Sequence, residues 1–217
     1  MKYYPENWDD MSNFVVHFTK ATKGENDYSN IISICSQQML LAKNPFGIGK
    51  SMAPNGTKQK SVCFSEIPPG HWDRLIEYRG TKYGLAFTKE FIVNRGGSPI
   101  WYARKESPPW KTLQDMMDQG SGDPQALIWA LTPFIDAPGL YGQSSYEFDW
   151  EREWRHLGPM SFSTEDVAFL LIPEEHHSAA SEFFKDAQAE NLGPAYFCPY
   201  VDPSWPRDTI LNALNES

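Results

Sequence analysis

Apolar residues in this chain fall in short dense runs rather than in one long periodic stretch. "FVVHFTK" (14–20), "SVCFSE" (61–66), "YGLAFTKEF" (83–91), "SPIWYAR" (98–104), "DVAFLLIP" (166–173) and "AYFCPYV" (195–201) are rich in Phe, Val, Ile, Tyr or Leu and are bounded by Gly, Pro or polar residues. That pattern predicts buried strands, with 166–173 central and 83–91 turning into a helical segment. Helical spacing appears elsewhere. Ile31, Ile32, Cys35, Met39 and Leu40 recur over 30–43 behind Ser29, a good N-cap, and further helices are expected at 70–80, 110–119, 124–135 and 174–191. Asp123 and Pro124 suit an N-cap and first helical position for the fourth of these. Residues 44–60 carry Gly, Pro and Lys without periodicity, which predicts a mobile basic surface loop. The order of elements, with no internal repeat, predicts a single α+β domain over 1–217 built on a mixed, mostly antiparallel sheet.

One stretch raises a chemical question. "FDWEREWRHLG" (148–158) places Asp149, Glu151, Glu153 and Arg155 at every second position, with large residues between them. In a strand these four share one face while Phe148, Trp150 and Trp154 share the other. Paired carboxylates kept from water cost several kcal/mol unless a cation offsets them, so the row is either used, or half exposed and ion-paired.

Composition narrows the classes. The chain has 217 residues, 41% of them hydrophobic and 14% aromatic, enough to build a core without covalent staples. A formal charge of -9 argues against a protein that coats nucleic acid through a basic face. Three widely spaced cysteines, Cys35, Cys63 and Cys198, contain no C-x-x-C pair, which disfavours a disulfide framework or a cysteine zinc site and fits a reducing cytoplasm. The N-terminal "MKYYPENWDD" has no apolar core of a signal peptide, and no run approaches a membrane span; a cytoplasmic protein without membrane contact is expected. Eight tryptophans at a mean hydropathy of -0.52 suggest a partner surface.

Three familiar signatures are incomplete. "FGIGKS" ends like a phosphate-binding loop but has Asn44 where the pattern needs Gly, and lacks the flanking strand and helix. His176 and His177, beside Glu174 and Glu175, are adjacent and so face different ways on a helix, which makes a metal site the poorer reading. No G-x-S-x-G elbow is present.

The succession "VVHFT", helix, "VCFSEIP", "YGLAFTKEF" and "EREWR" resembles the ADP-ribosyltransferase-like domains of bacterial toxin–antitoxin and abortive-infection phage-defence systems, in particular the abortive-infection AbiGi type. The likeness runs from about Phe14 to Pro173, and "FVVHFT" with "VCFSEIPPGHWDRLI" carries most of it. The resemblance implies an ADP-ribosyltransferase-like sheet and NAD as substrate. His17 would hold the nicotinamide ribose, with Thr19 on the same strand face. Phe64 and Ser65 would meet the nicotinamide side, with Tyr83 and Tyr102 as stacking partners. Glu153 would be the catalytic acid of the E-x-E pair, Glu151 assisting. Tyr28 would stack on adenine or ribose, or serve as an ordinary hydrophobic staple. The start of the helix after His17 and the basic loop 50–60 would meet pyrophosphate. The family's usual Tyr in the third strand is replaced here by Ala86.

On this resemblance the chain is expected to be an NAD-dependent toxin that transfers ADP-ribose to an acceptor in RNA, DNA or protein, restrained by a cognate antitoxin with or without a chaperone. The fixed carboxylate would stabilise the oxocarbenium charge that develops on the ribose. The same family includes antitoxins. The alternative is therefore a catalytically silent antitoxin or sensor that binds a partner protein through its acidic face. An NAD glycohydrolase, with water as acceptor, is a third reading.

Overall fold

A computed structural model of the chain describes residues 10–21, 24 and 26–215. The first nine residues of the acidic, aromatic N-terminal stretch, and Lys23 and Glu25 of the break after the first strand, lie outside the described residues. The architecture is α+β, with mostly antiparallel strand pairing and seven α-helices among the described residues. Two compact units are formed. One comprises the described part of Met1–Leu40 with Phe64–Phe91 and Ser161–Ser217; the other comprises Leu41–Cys63 and Ile92–Met160.

In the first unit, the strand Phe14–Thr19 pairs antiparallel with Tyr83–Thr88 along its whole length, Thr19 opposite Tyr83 and His17 opposite Leu85. Its other edge meets the strand Ser61–Ser65 at Val16 and Ser65. Tyr83–Thr88 also pairs antiparallel with Val167–Leu171, which takes Tyr200–Val201 as a parallel neighbour. Consecutive residues Leu85, Ala86 and Phe87 are fully buried, so this strand is covered on both faces, which is why it reads as a continuous apolar run. Val167–Leu171 is interior rather than central. Gly84 is needed here because a Cβ would come within 2.8 Å of the His17 carbonyl oxygen.

The helix expected at 30–43 spans Asp27–Gln37 instead. Its cap is Asn26, whose side chain accepts the Ser29 N–H at 2.7 Å, so Ser29 lies inside the first turn. Gln38 then adopts the left-handed conformation, and Met39 and Leu40 form a short strand. Ile31 and Cys35 face the core from this helix, as do Ala180 and Phe184 from the helix His177–Ala189 and Leu75 from Asp73–Arg79. Phe169 meets Phe14 and Trp72 edge-on or tilted at 5.3 and 5.9 Å. A buried ion pair, Lys89 to Glu66 with side chains 5% and 9% exposed, sits where the Tyr83–Thr88 strand passes into the helix Lys89–Asn94. The segment after 201, expected as a plain tail, forms the helix Arg207–Asn215 with Ile210 buried.

In the second unit, Glu153–Leu157 pairs with Ser98–Pro99, and Trp101–Tyr102 runs parallel to Ile135–Asp136. The helix Pro108–Gln119 begins at Ser107, whose hydroxyl accepts the Trp110 N–H, with Pro at the first position. Leu113 and Met117 pack on Ala103, Ile128, Trp129 and Ile135. The helix expected at 124–135 shrinks to Ile128–Leu131 followed by one tighter turn, because Asp123 uses its carboxylate on the Gln125 N–H in a turn instead. Gly139–Tyr141 and Ser144–Tyr146 form a hairpin around Gly142.

The segment 44–60 is anchored rather than mobile. Phe46 N–H donates to Gln59 O and Ile48 N–H to Ile135 O. Fully buried Gln59 donates to the Trp129 carbonyl and accepts from the Thr132 hydroxyl, both at 2.9 Å. The backbone at Gly47 has φ +82°, and a Cβ there would lie 1.9 Å from Thr132 O; one at Gly49 would lie 2.3 Å from Thr132 Oγ1. These glycines allow close backbone approach to Thr132 and do not line a phosphate cradle.

Candidate functional site

The stretch 148–158 is not one strand. Asp149–Glu151 form a tight turn, Arg152 takes the left-handed conformation at φ 50°, and the strand is Glu153–Leu157. Glu151 and Asp149 therefore leave the face that alternation assigned to them, and of the four expected residues only Glu153 and Arg155 share it. Glu151 is 3% exposed, its N–H closing the turn onto Phe148 O.

Arg155, 1% exposed, is the hub of what the strand does present. Its Nε donates to Glu153 Oε1 at 2.7 Å and its Nη2 to Glu153 Oε2 at 2.9 Å, a two-point clasp of one carboxylate. Nη1 donates to Pro133 O at 2.6 Å, and Nη2 also reaches Asp136. The guanidinium lies over the Phe46 ring at 5.2 Å. Tyr146 donates its hydroxyl to Asp136 at 3.1 Å, and the Tyr102 hydroxyl oxygen accepts the Glu153 N–H at 2.9 Å.

Two carboxylates thus share one cation in a dry place. Burial pushes the Asp136 carboxyl up, and although Arg155 pulls it down, the charge of Glu153 adds to the upward push. Burial opposes the Arg155 charge, yet its bonds to Glu153 and the fields of Glu153 and Asp136 hold it more firmly protonated than usual. Tyr102 and Tyr146 are pushed up by burial first and by these carboxylates second, so both stay neutral donors or acceptors.

The residues expected at NAD fall in the first unit, whereas Glu151 and Glu153 fall in the second. His17 is half buried, its ring 5.9 Å from that of Phe64. Phe64 itself is 1% exposed and packs edge-on to Phe87. Ser65 is 2% exposed and Thr19 3%, the Thr19 hydroxyl directed at the Tyr83 carbonyl at 3.5 Å. Three of the five have no surface to offer a ligand; His17 and Tyr28 do. In the basic loop 50–60, expected at pyrophosphate, the N–H groups of Lys50, Met52, Ala53 and Lys58 donate to the backbone carbonyls of Gly47, Gly49 and Asn55.

Tyr28 belongs to a different grouping. Its ring lies 5.0 Å from His176 and 6.1 Å from Tyr83, and Tyr83 stacks on His176 at 6.3 Å. Tyr83 also lines a cleft of about 590 Å³ with Asp27, Glu175, Asp202 and Lys82 on its walls. Asp202 is fixed by Glu174 N–H on one oxygen, 2.9 Å, and by the Ser204 N–H and hydroxyl on the other, 2.8 and 2.5 Å. Burial pushes Asp202 up, but the Ser204 and Glu174 bonds with the nearby Lys82 charge outweigh it and hold the carboxyl below the usual range. Tyr83 is pushed up by burial, then by Glu175, Asp27 and Asp202, three acids whose fields converge on its hydroxyl.

Sequence reasoning missed this grouping. It is assembled from the starts of two helices and the turn after the last strand, more than 170 positions apart, and its only local sign is the Asp202–Ser204 spacing of a side-chain-to-backbone turn. His177 points elsewhere, its Nε2 bonding the Ile172 carbonyl at 2.7 Å between Tyr200 and Trp205, as expected for adjacent positions. Among the described residues no group of His, Cys, Asp or Glu is placed to hold a metal ion, and no helix is long and apolar enough to cross a membrane. No protein-family model, curated protein or solved structure matches the chain.

Proposed function

We propose that the chain is a catalytically silent partner-binding module of a phage-defence pair, an antitoxin or sensor acting in the cytoplasm, rather than an NAD-consuming transferase. The clasp of Glu153 by Arg155 carries this reading. An acid that stabilises a developing oxocarbenium ion must present its charge to the sugar. Glu153 presents both oxygens to a guanidinium, and freeing it would break a two-point clasp in a buried network, leaving Arg155 with Asp136 as its carboxylate partner. Glu151 is buried on a turn, and buried Ala86 stands where the resembled family keeps a tyrosine. What is left for function is surface: an acidic chain of net charge -9 suits a basic partner protein.

The transferase, acting on RNA, DNA or protein, is the second reading. Half-exposed His17 on its strand edge and the open Tyr28 ring favour it. The test is incubation of the purified protein with labelled NAD and cell lysate, followed by protease or nuclease. The expected result is no transferred label and no nicotinamide released, with Glu153→Gln changing the melting temperature only. Label transfer that Glu153→Gln abolishes sinks the proposal.

A further inference from the structure

We propose that the cleft beside Tyr83 receives an arginine side chain of the partner protein; this rests on the binding-module reading and names the site through which it works. The first support is charge. Asp27, Glu175 and Asp202 face a single ammonium, Lys82, across the walls of one cleft. Three hydrogen bonds hold Asp202 in place and favour its anion. A phosphate or a carboxylate ligand would meet like charge from three sides, so anionic nucleotides are disfavoured and a cation is favoured.

The second support is the aromatic wall, which separates arginine from other cations. Tyr28 tilts 34° against His176 and meets Tyr83 edge-on at 61°, whereas Tyr83, the ring that lines the cleft, stacks on His176 at 27°. A planar, weakly hydrated guanidinium stacks on such a ring while its N–H groups reach carboxylates at the edge; a compact, strongly hydrated ammonium gains less. A volume of about 590 Å³ admits one long side chain with its flanking backbone and falls in the usual range for specific ligands. The third support is fixity. Asp202 is held by backbone and Ser204, Asp27 by the Ala21 N–H, and Tyr83 by its place opposite Thr19 in the sheet, so little ordering is left to be done on binding.

Lys82 is then an internal competitor for the same acids, which gives the proposal a signature that general stickiness lacks. The experiment titrates the full chain with a fluorescent peptide of alternating Arg and Gly, and with the same peptide carrying Gln for Arg. Binding is expected only for the Arg peptide, weakening with salt. Glu175→Gln, at a side chain 78% exposed and so harmless to folding, should weaken it about threefold, as expected for one partly screened charge. Tyr83→Ala should weaken it about tenfold and Tyr83→Phe hardly at all, since the ring carries the stacking. Lys82→Ala should tighten it severalfold. Equal binding of the two peptides, or no tightening with Lys82→Ala, overturns the proposal. The labelled-NAD assay is run on the same samples: inert NAD with failed peptide binding removes this cleft and leaves the binding-module reading, whereas NAD turnover removes that reading and this proposal with it.

Discussion

Two gatherings of acidic residues among the described residues have opposite fates. Around Arg155, Glu153 and Asp136 are largely taken out of water and matched against one guanidinium. Around Tyr83, Asp27, Glu175 and Asp202 stay at the walls of an open cleft with Lys82 in partial balance. The same residue types serve as a structural knot in one place and as an unspent field in the other. The difference lies in whether a cation of the chain itself is delivered to the carboxylates: a strand places Arg155 two residues from Glu153 on the same face, whereas the cleft acids come from separated turns with a single exposed lysine.

Removing the cation of the buried knot is the strongest way to break this contrast. Arg155→Met leaves Glu153 and Asp136 facing each other without compensation and should cost about 3–5 kcal/mol in denaturant unfolding. A change below 1 kcal/mol would mean that the acids escape to water and the knot is not structural. A smaller effect is expected in the other gathering. Asp202→Asn keeps one acceptor but loses the charge that favours two backbone amides and a hydroxyl, for about 1 kcal/mol.

The finest distinction is the sign of the pH dependence. Asp202 titrates lower in the fold than in the unfolded chain, so its stabilising contribution is present above the usual carboxylate range and is lost as pH falls through its lowered value. Asp136 titrates higher in the fold, so its contribution is full below the unfolded value near 3.9 and is lost as pH rises through its raised value. Melting curves from pH 3 to 7 for Asp202→Asn and Asp136→Asn should therefore diverge from the parent in opposite directions. The Asp136 variant should gain relative to the parent as pH rises, by under about 1 kcal/mol. Parallel curves would show that the two acids do not differ.

Legibility in the sequence followed burial. "FVVHFT", "VCFS", "YGLAFT" and "VAFLL" could be read because strands that are largely buried favour apolar residues at successive positions, and the pattern is therefore dense. "FDWEREWRHLG" misled because a turn with a left-handed Arg152 preserves period two in the letters while breaking it in space, and nothing local announces a non-glycine residue at φ 50°. The 44–60 segment misled through composition. Its glycines are placed by a residue some 85 positions away, Thr132, which no local window contains. The helix Arg207–Asn215 is short and only Ile210 in it is buried, so its periodicity is faint. Of the candidate site, Tyr28 and Tyr83 are singled out only as stacking partners implied by the resemblance, and the cleft that Tyr83 lines is a property of topology alone.

The Lys89–Glu66 pair gives the first unit a built-in reporter. An amine 5% exposed is closed to acylating reagents while most lysines on the surface react at once. Modification of Lys89 has to wait for the strand-to-helix junction at residue 88 to open, so the lag before it is acylated measures the frequency of that opening. One buried side chain thus turns a slow conformational fluctuation into a covalent mark that can be counted by mass.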